Sequence, residues 1–110
     1  MSDLRVAETI LQQLGGRRFI AMTGTKNFVG DDYSLSMTLP RNASRANRLK
    51  ITLTAMDDYT VEFTRQTVGH FTKNYNWIDG KTETIKRFEG IYCDQLQELF
   101  TSVTGMYTHF

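Results

Sequence analysis

The spacing of hydrophobic residues predicts a helix at each end of the chain. Within residues 3–14, apolar side chains recur every three or four positions, at Val6, Ala7, Ile10, Leu11 and Leu14. This spacing is typical of one helical face. Ser2 or Asp3 is a candidate N-cap, and Gly15-Gly16 can end the helix. A second stripe, flanked by Gly90 and Gly105, consists of Tyr92, Leu96, Leu99, Phe100 and Val103.

Between these helices, apolar and polar residues alternate with the period of two that half-buried strands have. Residues 33–39, 49–55 and 59–64 show this alternation, and the short link 56–58 favours a hairpin between the last two runs. Asp79-Gly80 predicts a two-residue hairpin turn between a run ending at Ile78 and residues 81–88. Residues 18–23 are a further short candidate strand. The segments 24–32 and 40–48, which are rich in Asn, Gly, Asp and Ser, are predicted to be the least structured.

Together these elements predict a single α+β domain over residues 1–110. We expect an N-terminal helix, about five or six mostly antiparallel strands and a C-terminal helix packed on the apolar face of the sheet. The single cysteine excludes an internal disulfide and fits a reducing compartment. No run is apolar enough for a membrane helix or a signal peptide, so we expect a cytoplasmic protein with no membrane partner.

Residue types that support catalysis or metal binding are scattered along the sequence. His70, His109 and Cys93 fall in different predicted elements, whereas a metal site needs clustered ligands. Cys93 lies one position off the apolar stripe of the last helix and has no neighbouring histidine. We therefore expect it to be a small, partly buried hydrophobic side chain, not a nucleophile.

Two further kinds of motif also favour structural roles. The adjacent carboxylates Asp31-Asp32 and Asp57-Asp58 are typical of solvated turns. Residues 15–18 and 22–26 contain glycine beside basic residues but lack the spacing of a phosphate-binding loop, so turn and helix-cap roles are favoured. From these patterns we expect no enzyme, no cofactor and no metal site.

The basic loop, residues 41–50, is the first candidate binding segment. It contains four cations and no acid, the cations being Arg41, Arg45, Arg48 and Lys50. Such a loop can contact phosphates or carboxylates, and it can equally be an ordinary solvated loop. The formal charge of the whole chain is only +1, which gives little general attraction to a polyanion.

The aromatic hairpin, residues 70–81, is the second candidate. It interleaves aromatic with polar and basic residues, as single-strand stacking surfaces do, and its candidate contacts are Lys73, Tyr75 and Trp77. Phe71, Tyr75 and Trp77 also share parity along the chain, so packing in the core or within the hairpin explains the pattern as well. Both interpretations stay open on the sequence alone.

Several blocks of the sequence resemble a family of small uncharacterised proteins from phages and other mobile elements. The blocks are FIAMTG (19–24) with KNF (26–28), LPRN (39–42) with ITL (51–53), and FEG (88–90) with DQL (94–96), FT (100–101) and TGMY (104–107). They cover most of the chain in order, and none is a catalytic motif. The resemblance implies a small accessory protein that acts by binding a partner macromolecule. Inhibition of a host defence system is one action that such binding could have.

The sequence therefore supports two alternative hypotheses about the function. The first is a non-catalytic protein that covers a surface of a host or phage protein, and the second is a nucleic-acid-binding module using residues 41–50 and 70–81. The two differ in salt dependence, since phosphate binding weakens steeply with ionic strength. Two short helices are not enough to cover five or six strands, so apolar sheet surface or a strand edge stays available. We therefore also expect a symmetric homodimer.

Overall fold

The structure, a computed structural model, describes residues 4–106. Two helices come first, α1 (Arg5–Leu14) and α2 (Arg17–Thr23), and α3 (Leu96–Thr104) comes last, preceded by a 3₁₀ turn at Cys93–Gln95. The strands between them are β1 (Lys26–Gly30), β2 (Ser34–Thr38), β3 (Arg48–Leu53), β4 (Tyr59–Gln66), β5 (His70–Phe71), β6 (Trp77–Ile78) and β7 (Thr82–Ile91).

The main sheet has five strands in the order β1-β2-β3-β4-β7, and all neighbours are antiparallel. The strands β5 and β6 pair only with each other and form a second, two-stranded sheet. The predicted α+β domain with a helix at each end is therefore confirmed. Because β4 and β7 pair up to Gln66 and Thr82, residues 67–81 form an arm beyond that end of the sheet.

One face of the sheet carries the core. Alternate residues of the central strands are buried there, namely Leu35, Met37, Leu49, Ile51, Val61 and Phe63. The helix α1 covers this face with Ala7, Ile10 and Leu14, and α3 covers it with Leu96 and Phe100. The rings of Phe19 and Phe100 meet edge to face with centroids 4.9 Å apart. The predicted helical stripes and strand alternation thus produce the apolar layer.

The opposite face of the sheet is polar. Ser36, Lys50, Glu62 and Arg87 lie opposite one another on successive strands. Because this row carries polar side chains and charges of both signs, water can solvate it. This face of the sheet therefore needs no covering layer of helices. The predicted half-buried strands, with one apolar face, are therefore confirmed.

Residues 18–23 are helical, so the strand prediction for this segment is wrong. Gly15 and Gly16 have φ of 124° and 58°, which ends α1 and lets α2 begin at Arg17. Phe19 then enters the core, and the Thr23 hydroxyl donates to the Phe19 carbonyl oxygen at 2.7 Å. A short apolar run does not distinguish a strand from a buried helical turn.

Residues 24–32 were predicted to be loop, but they contain β1. This strand is held by backbone pairing with β2, in which Val29 lies opposite Ser36 and Gly30 opposite Leu35. Val29 is exposed, because it lies in the row of Ser36 and Lys50 on the polar face of the sheet. A strand whose side chains are mostly exposed leaves little hydrophobic alternation in the sequence, which is why the pattern missed it.

Asp79-Gly80 is not the predicted hairpin turn. It returns the chain from β6 to β7, while the partner of β7 is β4. The Thr67 N–H donates to the Lys81 carbonyl oxygen at 2.8 Å, so the two legs of the arm meet at that point. Gly80 lies so close to the Thr67 carbonyl that a Cβ there would overlap with it. Glycine is therefore required for close approach at the base of the arm.

The start of the C-terminal helix differs from prediction, because residues 93–95 form a 3₁₀ turn and α3 begins at Leu96. Tyr92 is 58% exposed, because it precedes the 3₁₀ turn instead of joining the α3 stripe. Its N–H donates to Gln95 Oε1 at 3.0 Å. Gly105 ends α3 with a φ of 75°, as predicted. The predicted caps Ser2 and Asp3 lie outside the described residues.

Candidate functional site

The residues with catalytic potential lie apart in the structure. His70 is exposed on β5, and His109 lies outside the described residues. Cys93 is exposed as well, so the expectation of partial burial is wrong. Its side chain belongs to the 3₁₀ turn before α3 and not to the buried face of that helix. Within residues 4–106, no group of three or more His, Cys, Asp or Glu is placed to hold a metal ion.

The adjacent carboxylates lie in turns, as predicted. Asp31 Oδ1 accepts hydrogen bonds from the N–H groups of Tyr33 and Ser34 at 3.1 and 3.0 Å. The Ser34 side chain, and after it the Tyr33 backbone, lower the pKa of the Asp31 carboxyl below its ordinary value. Asp58 Oδ1 accepts the Thr54 hydroxyl at 2.6 Å in the turn between β3 and β4. These contacts stabilise the turns and assign no chemistry to them.

The basic loop is ordered by the side chain of Asn42. Its Nδ2 donates to the carbonyl oxygens of Pro40 and Ala46, both at 2.8 Å, and its Oδ1 accepts the Ser44 N–H at 3.0 Å. The loop also joins the last helix, because the Ala43 N–H donates to the Thr104 carbonyl oxygen at 3.1 Å. A loop with its own hydrogen-bond network presents its exposed side chains from a defined backbone.

The four cations of residues 41–50 do not share one environment. Arg41 and Arg45 are exposed on the loop itself. Arg48 begins β3, and its guanidinium donates to Gln66 Oε1 at 2.9 Å. Lys50 lies further along β3, opposite Glu62 on the polar face of the sheet. Only Arg41 and Arg45 therefore point to the same part of the surface from the loop.

The arm is held together by its own aromatic and polar contacts. Phe71 and Trp77 face each other across β5 and β6, and their rings meet edge to face with centroids 5.0 Å apart. The Trp77 indole N–H donates to Asp79 Oδ1 at 2.5 Å. Gly69 lies under the indole, where a Cβ would overlap with the ring. Packing within the hairpin is thus confirmed for Phe71 and Trp77.

These contacts leave most of the aromatic surface of the arm exposed. Phe71 is 68% exposed, Tyr75 87% and Trp77 55%. Val68 and Ile78 on the same arm are exposed as well. None of the five belongs to the hydrophobic core, so the interpretation that the shared parity reflects core packing is wrong.

The basic loop and the arm lie at the same end of the sheet. Asn47 Nδ2 donates to the Gln66 carbonyl oxygen at 2.7 Å, and the Gln66 N–H donates to Asn47 Oδ1 at 2.8 Å. Gln66 is the last residue of β4, directly before the arm. The structure therefore brings together two segments that are about 30 positions apart in the sequence. We call the basic loop and the arm together the end surface.

Backbone conformation marks one residue in each segment of the end surface. Among the described residues, the non-glycines with positive φ are Asn27, Arg45, Asp57 and Tyr75. Asn and Asp enter this region readily, whereas Arg and Tyr do so at a cost. Arg45 (φ 66°) lies in the basic loop and Tyr75 (φ 61°) in the turn of the arm. Such outliers concentrate at binding sites, where the side chain matters more than local stability.

A groove runs between the basic loop and the adjoining ends of β4 and β7. Its volume is about 930 Å³, and we call it the arginine groove. Its basic residues are Arg41, Arg45 and Arg65, and Glu83 is its acidic residue. Arg65 and Glu83 were not predicted as site residues. Arg65 reaches the loop through the pairing of β3 with β4, and Glu83 through the pairing of β4 with β7.

Comparison with protein-family models, curated proteins and solved structures finds no match to this chain. In the part of the chain that the structure describes, no helix combines the length and the apolar character that a membrane crossing requires.

Proposed function

We propose that this protein is a small, non-catalytic binding protein whose end surface contacts a partner protein. The resemblance to phage and mobile-element proteins makes the partner a host or phage protein in the cytoplasm. Covering a surface of a host defence protein would be the mode of action. The observation that carries the proposal is the exposure of the arm's aromatic side chains, with Tyr75 at 87%.

The aromatic side chains of the arm are available to a partner because most of their surface stays exposed in the folded protein. Exposed apolar patches of this kind mark interaction sites on soluble proteins. Tyr and Trp are enriched among the residues that contribute most to protein–protein affinity. The ring contact between Phe71 and Trp77 and the bond from Trp77 to Asp79 fix the arm before binding, which lowers the entropy lost in the complex.

The basic loop adds charge to the same end surface. Arg41 and Arg45 are exposed, and planar guanidinium groups suit carboxylates on an acidic protein. Charged residues at an interface rim mainly raise the association rate. Since the net charge of the chain is +1, a protein partner with a local acidic patch is favoured over a polyanion.

Nucleic-acid binding is the second candidate, and one observation favours it. Lys73 lies on the arm together with the exposed rings of Tyr75 and Trp77, and this combination can stack bases and neutralise phosphates. For this function, affinity would fall steeply as salt rises, with a slope of about one per phosphate contact. A protein interface centred on aromatic residues would depend much less on salt.

The experiment is affinity capture of partners by the wild type and by Tyr75→Asn. Asparagine tolerates positive φ, so the variant removes the ring without straining the turn. Tyr33→Asn, which removes another exposed ring (63% exposed) from the opposite end of the sheet, is the matched control. We expect Tyr75→Asn to lose a specific protein that Tyr33→Asn and nuclease-treated wild type retain.

Two results would contradict the proposal. Loss of the captured protein after nuclease treatment would show that nucleic acid is the direct partner. Equal capture by Tyr75→Asn and the wild type, with both variants folded by circular dichroism, would show that the arm does not carry the contact.

A further inference from the structure

The arginine groove is shaped for a ligand smaller than a protein surface. A volume of about 930 Å³ lies within the range of clefts that enclose a compact ligand or a short peptide segment. Its walls include apolar groups from Leu39, Ala46 and Ile85, of which Leu39 and Ala46 are buried. The groove therefore offers a small apolar area within a mainly polar lining that carries three arginines.

The basic side of the groove is positioned by contacts within the protein. The Arg65 guanidinium donates to the carbonyl oxygen of Arg45 at 3.1 Å. This bond uses one of the five N–H donors of Arg65, so the others can reach a ligand. It also holds the backbone at Arg45, the residue that adopts a positive φ. A site fixed before binding is expected to lose little entropy on binding.

Glu83, the acidic residue of the groove, limits the chemical class of ligand that the groove can bind. Glu83 lies opposite Arg65 on the neighbouring strand, so a negative charge faces the groove beside three arginines. A continuous phosphate backbone would be repelled at Glu83. A peptide can place carboxylates at the arginines and an uncharged residue near Glu83, and its apolar groups can cover the small apolar area.

We propose that the arginine groove binds an acidic peptide segment of the partner protein. This inference rests on the proposed function, because it takes the partner to be a protein that the end surface contacts. Carboxylates of the segment pair with Arg41, Arg45 and Arg65. Arg48 does not take part, because it lies outside the groove and bonds Gln66.

The test measures binding of a short fluorescein-labelled polyglutamate peptide by fluorescence anisotropy. A polyglutamine peptide of equal length and a single-stranded oligothymidylate of equal charge are the comparison probes. We expect Arg41→Gln and Arg45→Asn each to weaken polyglutamate binding about two- to fivefold, the range of exposed ion pairs. We expect Glu83→Gln to strengthen it by a similar factor, and Arg48→Gln, the matched control, to leave it unchanged.

Each of the following outcomes would overturn the inference. An equal loss with Arg48→Gln and Arg41→Gln would mean a diffuse basic surface, and no gain with Glu83→Gln would mean that the peptide lies outside the groove. Tighter binding of the oligothymidylate, with the same arginine dependence, would make the ligand a nucleic acid. If polyglutamate does not bind while capture still depends on Tyr75, the groove inference fails and the proposed function stands. If capture is also independent of Tyr75, both fail.

Discussion

Replacing Phe100 by alanine should strongly destabilise the protein, because Phe100 anchors α3 in the hydrophobic core. Phe100 is 1% exposed, and its ring contacts Phe19 at a centroid distance of 4.9 Å. Phe19 is itself fully buried on α2. The substitution therefore removes the apolar side chain that joins both helices to the sheet and leaves a cavity between them.

The expected loss follows from this burial. Truncating a fully buried phenylalanine to alanine costs about 3–5 kcal/mol, through lost transfer free energy and the remaining cavity. A domain of this size has a free energy of unfolding of about 5–15 kcal/mol. Phe100→Ala should thus remove about a fifth of the stability or more and lower the melting temperature by more than about 10 °C.

Urea denaturation followed by circular dichroism measures the effect. Glu98→Ala is the matched control, since Glu98 is exposed on the same helix and alanine keeps the helical propensity. The control should stay within about 0.5 kcal/mol of the wild type. Equal midpoints and slopes for Phe100→Ala and the wild type would refute the placement of α3 on the sheet.

Three further results are expected. Burial raises the pKa of the Tyr59 phenol above its ordinary value. The stability that the neutral phenol contributes is therefore complete below about pH 10 and is lost as pH rises through the folded-state pKa. A phenolate absorbance titration in which Tyr59→Phe removes no transition above pH 10 would contradict this. Gly69→Ala should displace the Trp77 indole and shift its fluorescence, whereas unchanged fluorescence would mean that the indole does not rest on Gly69. Self-association through the outer edge of β7 predicts a dimer in sedimentation at tens of micromolar, and a single 12.7 kDa species would count against it.

The elements that the sequence predicted well are those whose side chains enter the core. Leu35 and Met37 alternate with serine on β2, and Leu96 and Phe100 recur along α3, because burial on one face imposes a period on the sequence. The residues that were misplaced obey other constraints. Residues 18–23 are too short a run to show a period, and β1 is fixed mainly by backbone pairing on an edge.

The sequence predicted some residues of the candidate site but not how they are arranged. Arg41, Arg45 and Trp77 are visible in the sequence as cations and an aromatic in polar surroundings. The predicted β3–β4 hairpin places Arg65 beside the loop, and the long-range pairing of β4 with β7 adds Glu83. Local pattern carries no signal for that pairing, and the Asp79-Gly80 dipeptide even favoured a different one.

Hydrogen exchange of the protein with and without its captured partner tests the central claim most directly. The end surface should gain protection, at residues 67–81 in the arm and at residues 41–47 in the basic loop. The exposed edge strand β1 should exchange at the same rate in both states. Protection confined to β1 or to α1, with unchanged exchange in the arm and the basic loop, would contradict the account.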